Sequence, residues 1–189
     1  MRQGDGSSVS LLMRQKNRPP VSPLRAPGVP SPCLPSAGAQ QCVKLYVPLT
    51  HEPRTWTSRL AVVTLHSYAD GTLRLYYEPR PAAPQVTTGA DLAPLFAALP
   101  GLRRHRCDNG RHQSFYDEAR HTEVAHLLEH VLIELLATDG GVARSQIQGA
   151  TNLDEAPRRY RIRISGWDNA AQAENSVEKA LLLLEDQEL

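Results

Sequence analysis

Residues 42 to 189 predict an α+β fold, a mostly antiparallel sheet with helices packed on one face in a two-layer sandwich. Three observations lead there. Several short runs alternate apolar and polar residues with a period of two, as half-buried strands do. Other runs repeat apolar residues at three- and four-residue spacing, as helices with one buried face do. The order of these runs is β-β-β-α-α-β-β-α, which segregates strands from helices instead of interleaving them as parallel α/β folds do.

The elements follow from residues. Positions 1 to 41 of the 189-residue chain are rich in Pro, Ser, Gly and Gln, as in Arg18-Pro19-Pro20 and Pro27-Gly28-Val29-Pro30. With no sustained periodicity they cannot bury enough apolar surface to offset chain entropy, so a disordered tail is expected, with the folded domain running from 42 to 189. Val43–Val47 reads as a first strand, Leu60–His66 as a second and Leu73–Tyr77 as a third. Ala69-Asp70-Gly71 is the turn between the last two. Asp91 caps a short helix, Leu92–Leu99, closed by Pro100-Gly101. A polar loop holding Arg103, Arg104, His105, Arg106 and Cys107 leads through Phe115-Tyr116 to the next helix. There Thr122 is the expected N-cap, Glu123 suits the helix dipole, Leu128, Val131, Leu132 and Leu135 form a core stripe, and Asp139-Gly140-Gly141 ends it. Val142–Gln148 and Arg158–Ser165 read as two strands and Asn169–Glu185 as a final helix with Ala173, Val177, Ala180, Leu181 and Leu184 inward.

The middle helix carries the chemistry. His126-Leu127-Leu128-Glu129-His130 reads H-x-x-E-H, the inverted zincin pattern. Histidines four apart lie on one helical face and can reach one metal ion, and the glutamate beside the second can act as a base toward water at that ion. Zinc with His126 and His130 as ligands and Glu129 as the catalytic base is the expectation; structural histidines on an amphipathic helix are the plainer reading. A third ligand must come from elsewhere. Glu134 lies too far along the helix to share the ion comfortably and is expected in a supporting role. Glu174 and Glu178, four apart on the final helix, are the remaining candidates, with Glu174 taken first, although both also suit an ordinary helix surface. In the strand before that helix, Arg159, Arg161 and Arg163 alternate with Tyr160, Ile162 and Ile164. Such a face is ordinarily solvated; the sharper expectation is contact with an anionic substrate or a subunit. Cys107 could serve as a ligand or nucleophile, but a lone cysteine without a base partner is usually structural, and His105, His112 and His121 could line a pocket but read foremost as surface loop histidines.

The rest of the sequence excludes more than it assigns. A net charge of +1 gives no reason to expect nucleic acid. Three cysteines without a C-x-x-C pair suggest no disulfide framework, so a reducing, cytoplasmic setting is expected. No apolar run approaches a membrane span, and the N-terminus lacks the apolar stretch of a secretory signal. Nucleotide-binding glycine loops and the G-x-S-x-G elbow are absent.

Taken together, Leu99-Pro100-Gly101-Leu102, His105, Cys107, Gly110, Phe115 and the helix from Thr122 through His126, Glu129, His130, Glu134 and Leu135 resemble the N-terminal domain of cyanophycin synthetase. The likeness runs over roughly residues 43 to 188, with Gln113-Ser114 where that family commonly has a glycine pair. It implies a domain that helps hold a polymer of aspartate and arginine and that, in some members, is similar to a zinc metallopeptidase cutting that polymer, with His126 and His130 as ligands and Glu129 as base. The full synthetases add ligase domains that are not in this sequence. The expected function is therefore zinc-dependent hydrolysis of a peptide-like chain by a stand-alone domain. The alternative is a non-catalytic polymer-binding or scaffold module beside a separately encoded ligase, in either case with homo-oligomers allowed. A structural zinc site is a third reading.

Overall fold

The computed structural model describes residues 49, 51–107, 112–167, 169–187 and 189. Five strands, β1 (Arg54–Thr57), β2 (Ala61–Ser67), β3 (Leu73–Pro79), β4 (Gln148–Leu153) and β5 (Tyr160–Ser165), form one sheet in the order β1-β2-β3-β5-β4 with every neighbouring pair antiparallel. Alternation fixes which face is dry. Ala61, Val63 and Leu65 of β2, Leu73, Leu75 and Tyr77 of β3, and Tyr160, Ile162 and Ile164 of β5 are all buried, while the residues between them face outward. The register sets Leu75 opposite both Leu65 and Ile162, so the three central strands present a continuous apolar surface.

Helices α1 (Ala93–Ala98), α2 (Phe115–Glu118), α3 (Val124–Gly140) and α4 (Ala170–Glu185) cover it. Leu127, Leu128, Leu132, Leu135 and Leu136 of α3 join the core from several sides of the helix, because α3 lies between the sheet, α4 and the α1–α2 segment. Each such side chain contributes about 1.5–3 kcal/mol by leaving water. The expected α+β sandwich is thus the observed one. Asp91 accepts the Ala93 N–H at 3.0 Å ahead of α1, and Asn169 accepts the Gln172 N–H at 3.1 Å as the cap of α4. Gly141, with φ of 64°, closes α3 in the left-handed conformation that glycine adopts without penalty.

Three expectations change. The run Val142–Gln148 is not a strand: Arg144–Gln146 form a single 3-10 turn, and the strand is Gln148–Leu153, whose sequence QGATNL hides its character because an edge strand has little apolar surface to bury. The short strand β1, Arg54–Thr57, is an addition. Glu123, not Thr122, occupies the N-cap position of α3: its carbonyl accepts the His126 and Leu127 N–H groups, and the Thr122 hydroxyl meets His126 Nδ1 instead of the helix backbone. The proposed tail at 1–41 and strand at Val43–Val47 lie outside the described residues. Among the described residues, no helix is long and apolar enough to cross a membrane.

Candidate metal centre

One turn of α3 separates His126 from His130, and their Nε2 atoms stand 3.1 Å apart. Cys107, part-buried in the loop before α2, brings its Sγ to 3.4 Å from His126 Nε2. The three donor atoms lie within 4.8 Å of one another. Phe115 backs the cluster, stacking on the His130 ring with centroids 3.7 Å apart and planes 18° off parallel.

The carboxylate of Glu134 fixes the tautomers of His105 and His130 in turn. Glu134 Oε2 lies 2.8 Å from His105 Nε2, and a carboxylate only accepts, so His105 Nε2 carries a proton. Burial lowers the His105 pKa, against the pull of Glu134, which leaves a neutral ring with a bare Nδ1. That Nδ1 is 3.0 Å from His130 Nδ1, which must therefore donate. Burial, reinforced by the neighbouring His126 and His105 rings, pushes the His130 pKa far down, so its Nε2 is a bare lone pair aimed at His126 Nε2. His126 in turn has Thr122 Oγ1 2.7 Å from its Nδ1, an acceptor that permits Nδ1–H and a second bare Nε2. In that tautomer the two lone pairs face each other at 3.1 Å and suit a shared cation; in the other, His126 Nε2–H donates to His130 Nε2.

Cys107, His126 and His130 form a group that could hold a metal ion, and zinc gives the distances to compare it with. Tetrahedral zinc with Zn–N of about 2.0–2.1 Å and Zn–S of about 2.3 Å places its ligands about 3.3 Å (N···N) and about 3.6 Å (N···S) apart. The His126–His130 and Cys107–His126 separations of 3.1 and 3.4 Å are within a few tenths of an ångström of those edges, and the full set of three donors spans up to 4.8 Å. One cysteine sulfur with two imidazoles is a donor set that suits borderline and soft divalent metals, and the Glu134–His105–His130 chain is the kind of support that orients a ligating imidazole. Space for that chain comes from Gly101, where a β-carbon would overlap the Glu134 carboxylate.

The donors open into a pocket of about 820 Å³ between α3 and β4. Glu129 forms part of its wall, only 5% exposed, and accepts a 2.5 Å hydrogen bond from Thr151 Oγ1 of β4. Burial pushes its carboxyl pKa up to about 7, with the Thr151 bond opposing. Gly149 lets the strand come this close, because a β-carbon there would meet both Glu129 and Ile133. Charges of both signs line the pocket: Arg106 and Arg144 among the cations, Glu118 and Glu123 among the anions.

His126, Glu129 and His130 are therefore brought together around one cavity, with Glu134 behind them through His105. Glu174 is not. Its carboxylate pairs with Arg54 of β1, at the sheet edge opposite β4, because α4 runs on the far side of α3 from the pocket. Glu178 is exposed on α4. Arg161 and Arg163 lie on the open outer face of the sheet, and Arg159 pairs with Asp154 and Glu78, so none of the three lines the pocket. His112 and His121 are exposed, whereas His105 is 2% exposed and structurally central. The sequence alone sets Cys107 below Glu174 as a ligand and places His105 on the surface. Their signals were a Cys and a His two residues apart, H-R-C, in a loop shortly before the zincin helix, and their place among the residues that carry the family resemblance.

The family model for the cyanophycin synthase-like N-terminal domain matches residues 91–186, from the cap of α1 to the end of α4. No curated protein and no solved structure matches the chain.

Proposed function

The chain belongs to the cyanophycin synthase-like N-terminal domain family, and on that premise we propose that it is a zinc-dependent hydrolase of a peptide-like chain bearing charged side chains. One observation carries the reading: donor atoms of Cys107, His126 and His130 lie within 4.8 Å of one another on a pocket whose wall holds a buried glutamate. Cys107, His126 and His130 would hold the ion, with Cys107 taking the place first given to Glu174. Bound zinc supplies Lewis acidity toward an amide carbonyl.

The rest falls to the chain's own groups. Glu129 has a carboxyl poised near neutrality, so it can take a proton from an attacking water and return it to the leaving amine. Thr151 holds that carboxylate against rotation. Phe115 and the Glu134–His105 pair hold the His130 ring. Arg106 and Arg144 suit carboxylate side chains of a substrate, and Glu118 and Glu123 suit guanidinium ones, which supports a polymer of aspartate and arginine as the substrate class.

The test is zinc content per chain for wild type, Cys107→Ser and His126→Ala, followed by cleavage of an aspartate–arginine polymer by wild type and Glu129→Gln. We expect near-stoichiometric zinc in wild type, its loss in both ligand variants, and zinc retained but cleavage lost in Glu129→Gln. Absence of zinc after supply and dialysis would remove the hydrolase and leave a binding module.

A further inference from the structure

Strand β4 is an edge of the sheet, paired on one side with β5, and among the described residues nothing pairs with its other side. Edge strands ordinarily carry protection such as charge, proline or a covering element. The opposite edge conforms: β1 begins with Arg54 directly after Pro53. The β4 sequence, Gln148-Gly-Ala-Thr-Asn-Leu153, has neither charge nor proline, and it ends in a leucine that is 69% exposed. Every residue of this strand lines the pocket that contains His126, Glu129 and His130. An unprotected edge, a liability elsewhere, is here one entire wall of the candidate site.

The ladder shows which groups it offers. The Asp154 N–H donates to the Arg159 carbonyl at 2.8 Å, one step beyond the Leu153–Tyr160 pair. In an antiparallel ladder hydrogen-bonded and non-hydrogen-bonded pairs alternate. Asn152, Ala150 and Gln148 therefore bond toward β5, and the N–H and C=O groups of Gly149, Thr151 and Leu153 point out of the sheet. The middle of these three, Thr151, is the residue whose hydroxyl holds Glu129.

We infer that the substrate binds as an added β-strand along β4, its backbone paired with the outward groups of Gly149, Thr151 and Leu153. This rests on the hydrolase reading and specifies its substrate class: an extended polypeptide main chain, recognised by backbone hydrogen bonds in a register that sets one peptide bond beside Glu129 and the His126–His130 pair. Side chains of such a strand alternate between the pocket and solvent, so every second residue meets Arg106, Arg144 and the acidic lining, and the others are free to vary.

Amide hydrogen exchange by NMR on the zinc-loaded full chain tests it, with a four-residue Asp-Ala-Asp-Ala peptide ending in a hydroxamate as probe and acetohydroxamate as control. The amides of Gly149, Thr151 and Leu153 should slow at least tenfold with the peptide and not with acetohydroxamate. Those of Ala150 and Asn152, already bonded to β5, should not change. Peptide binding seen calorimetrically without protection at the three outward amides would overturn strand addition and leave the hydrolase reading standing. Protection without peptide, growing with protein concentration, would also overturn it, giving the edge to a second copy of the chain. If neither hydroxamate binds, the hydrolase reading fails and this inference fails with it.

Discussion

His105 decides whether His130 can be a ligand, although it touches no reacting group. Its ring is wedged between Glu134 and His130, and removing it would strand the His130 Nδ1–H and a carboxylate without partners. His105→Ala should therefore weaken zinc binding by about 10- to 100-fold, read by competition with a chelator, whereas Glu174→Gln should leave zinc affinity unchanged. Glu129 presents the opposite balance, a residue whose placement opposes stability. Its carboxyl is raised from 4.5 in the unfolded chain to about 7 in the fold, by burial. Above pH 7 both states are ionised and the fold carries the full penalty. Between 7 and 4.5 the folded state takes up its proton first, and below 4.5 the difference is gone. Glu129→Gln should thus stabilise the metal-free protein by about 2–3 kcal/mol at pH 8, with the gain shrinking to nothing near pH 4.5 in urea unfolding curves.

At the scale of elements, the site is a meeting of α3 with two backbones that come unusually near it. Gly149 brings β4 against Glu129, and Gly101 brings the segment after α1 against Glu134. Neither glycine needs a left-handed backbone conformation; each is required by proximity. Gly101→Ala would push the Glu134 carboxylate off His105, so it should cost about 1–3 kcal/mol of stability and also lower zinc affinity. A change of comparable cost far from the relay, Ile164→Val in β5 at about 0.5–1.5 kcal/mol, should lower stability and leave zinc binding alone. Thermal unfolding measured beside metal titration separates the two.

For the whole molecule, the apolar core includes none of the candidate metal ligands. Buried residues from β2, β3, β5, α1, α2, α3 and α4 form one continuous cluster. The metal group sits at its rim, against the pocket. Removing zinc with a chelator should therefore lower the melting temperature by no more than the binding linkage requires and leave near-ultraviolet circular dichroism folded. A structural zinc would give unfolding instead.

Sheet, helices and the His126–Glu129–His130 triplet were legible in the chain because period-two and period-3.6 patterns are local, and one helical turn suffices to set two histidines side by side. Alternation also put Arg161 and Arg163 on the face opposite Ile162 and Ile164, but the substrate contact expected of Arg159, Arg161 and Arg163 is not what the pocket shows, since none of them lines it. What pattern could not supply was anything that depends on which distant segments touch. The edge strand Gln148–Leu153 carries little hydrophobic periodicity because one side of it faces the pocket. Cys107 lies 19 positions before His126, and His105 lies 29 before Glu134, in a loop with no periodicity to read. Glu174 looked as good a ligand as any carboxylate until the packing of α4 turned it toward Arg54. Local order came from residue spacing; the third donor, the relay behind His130 and the open edge beside the site came from close packing of segments far apart in the chain, which spacing alone does not encode.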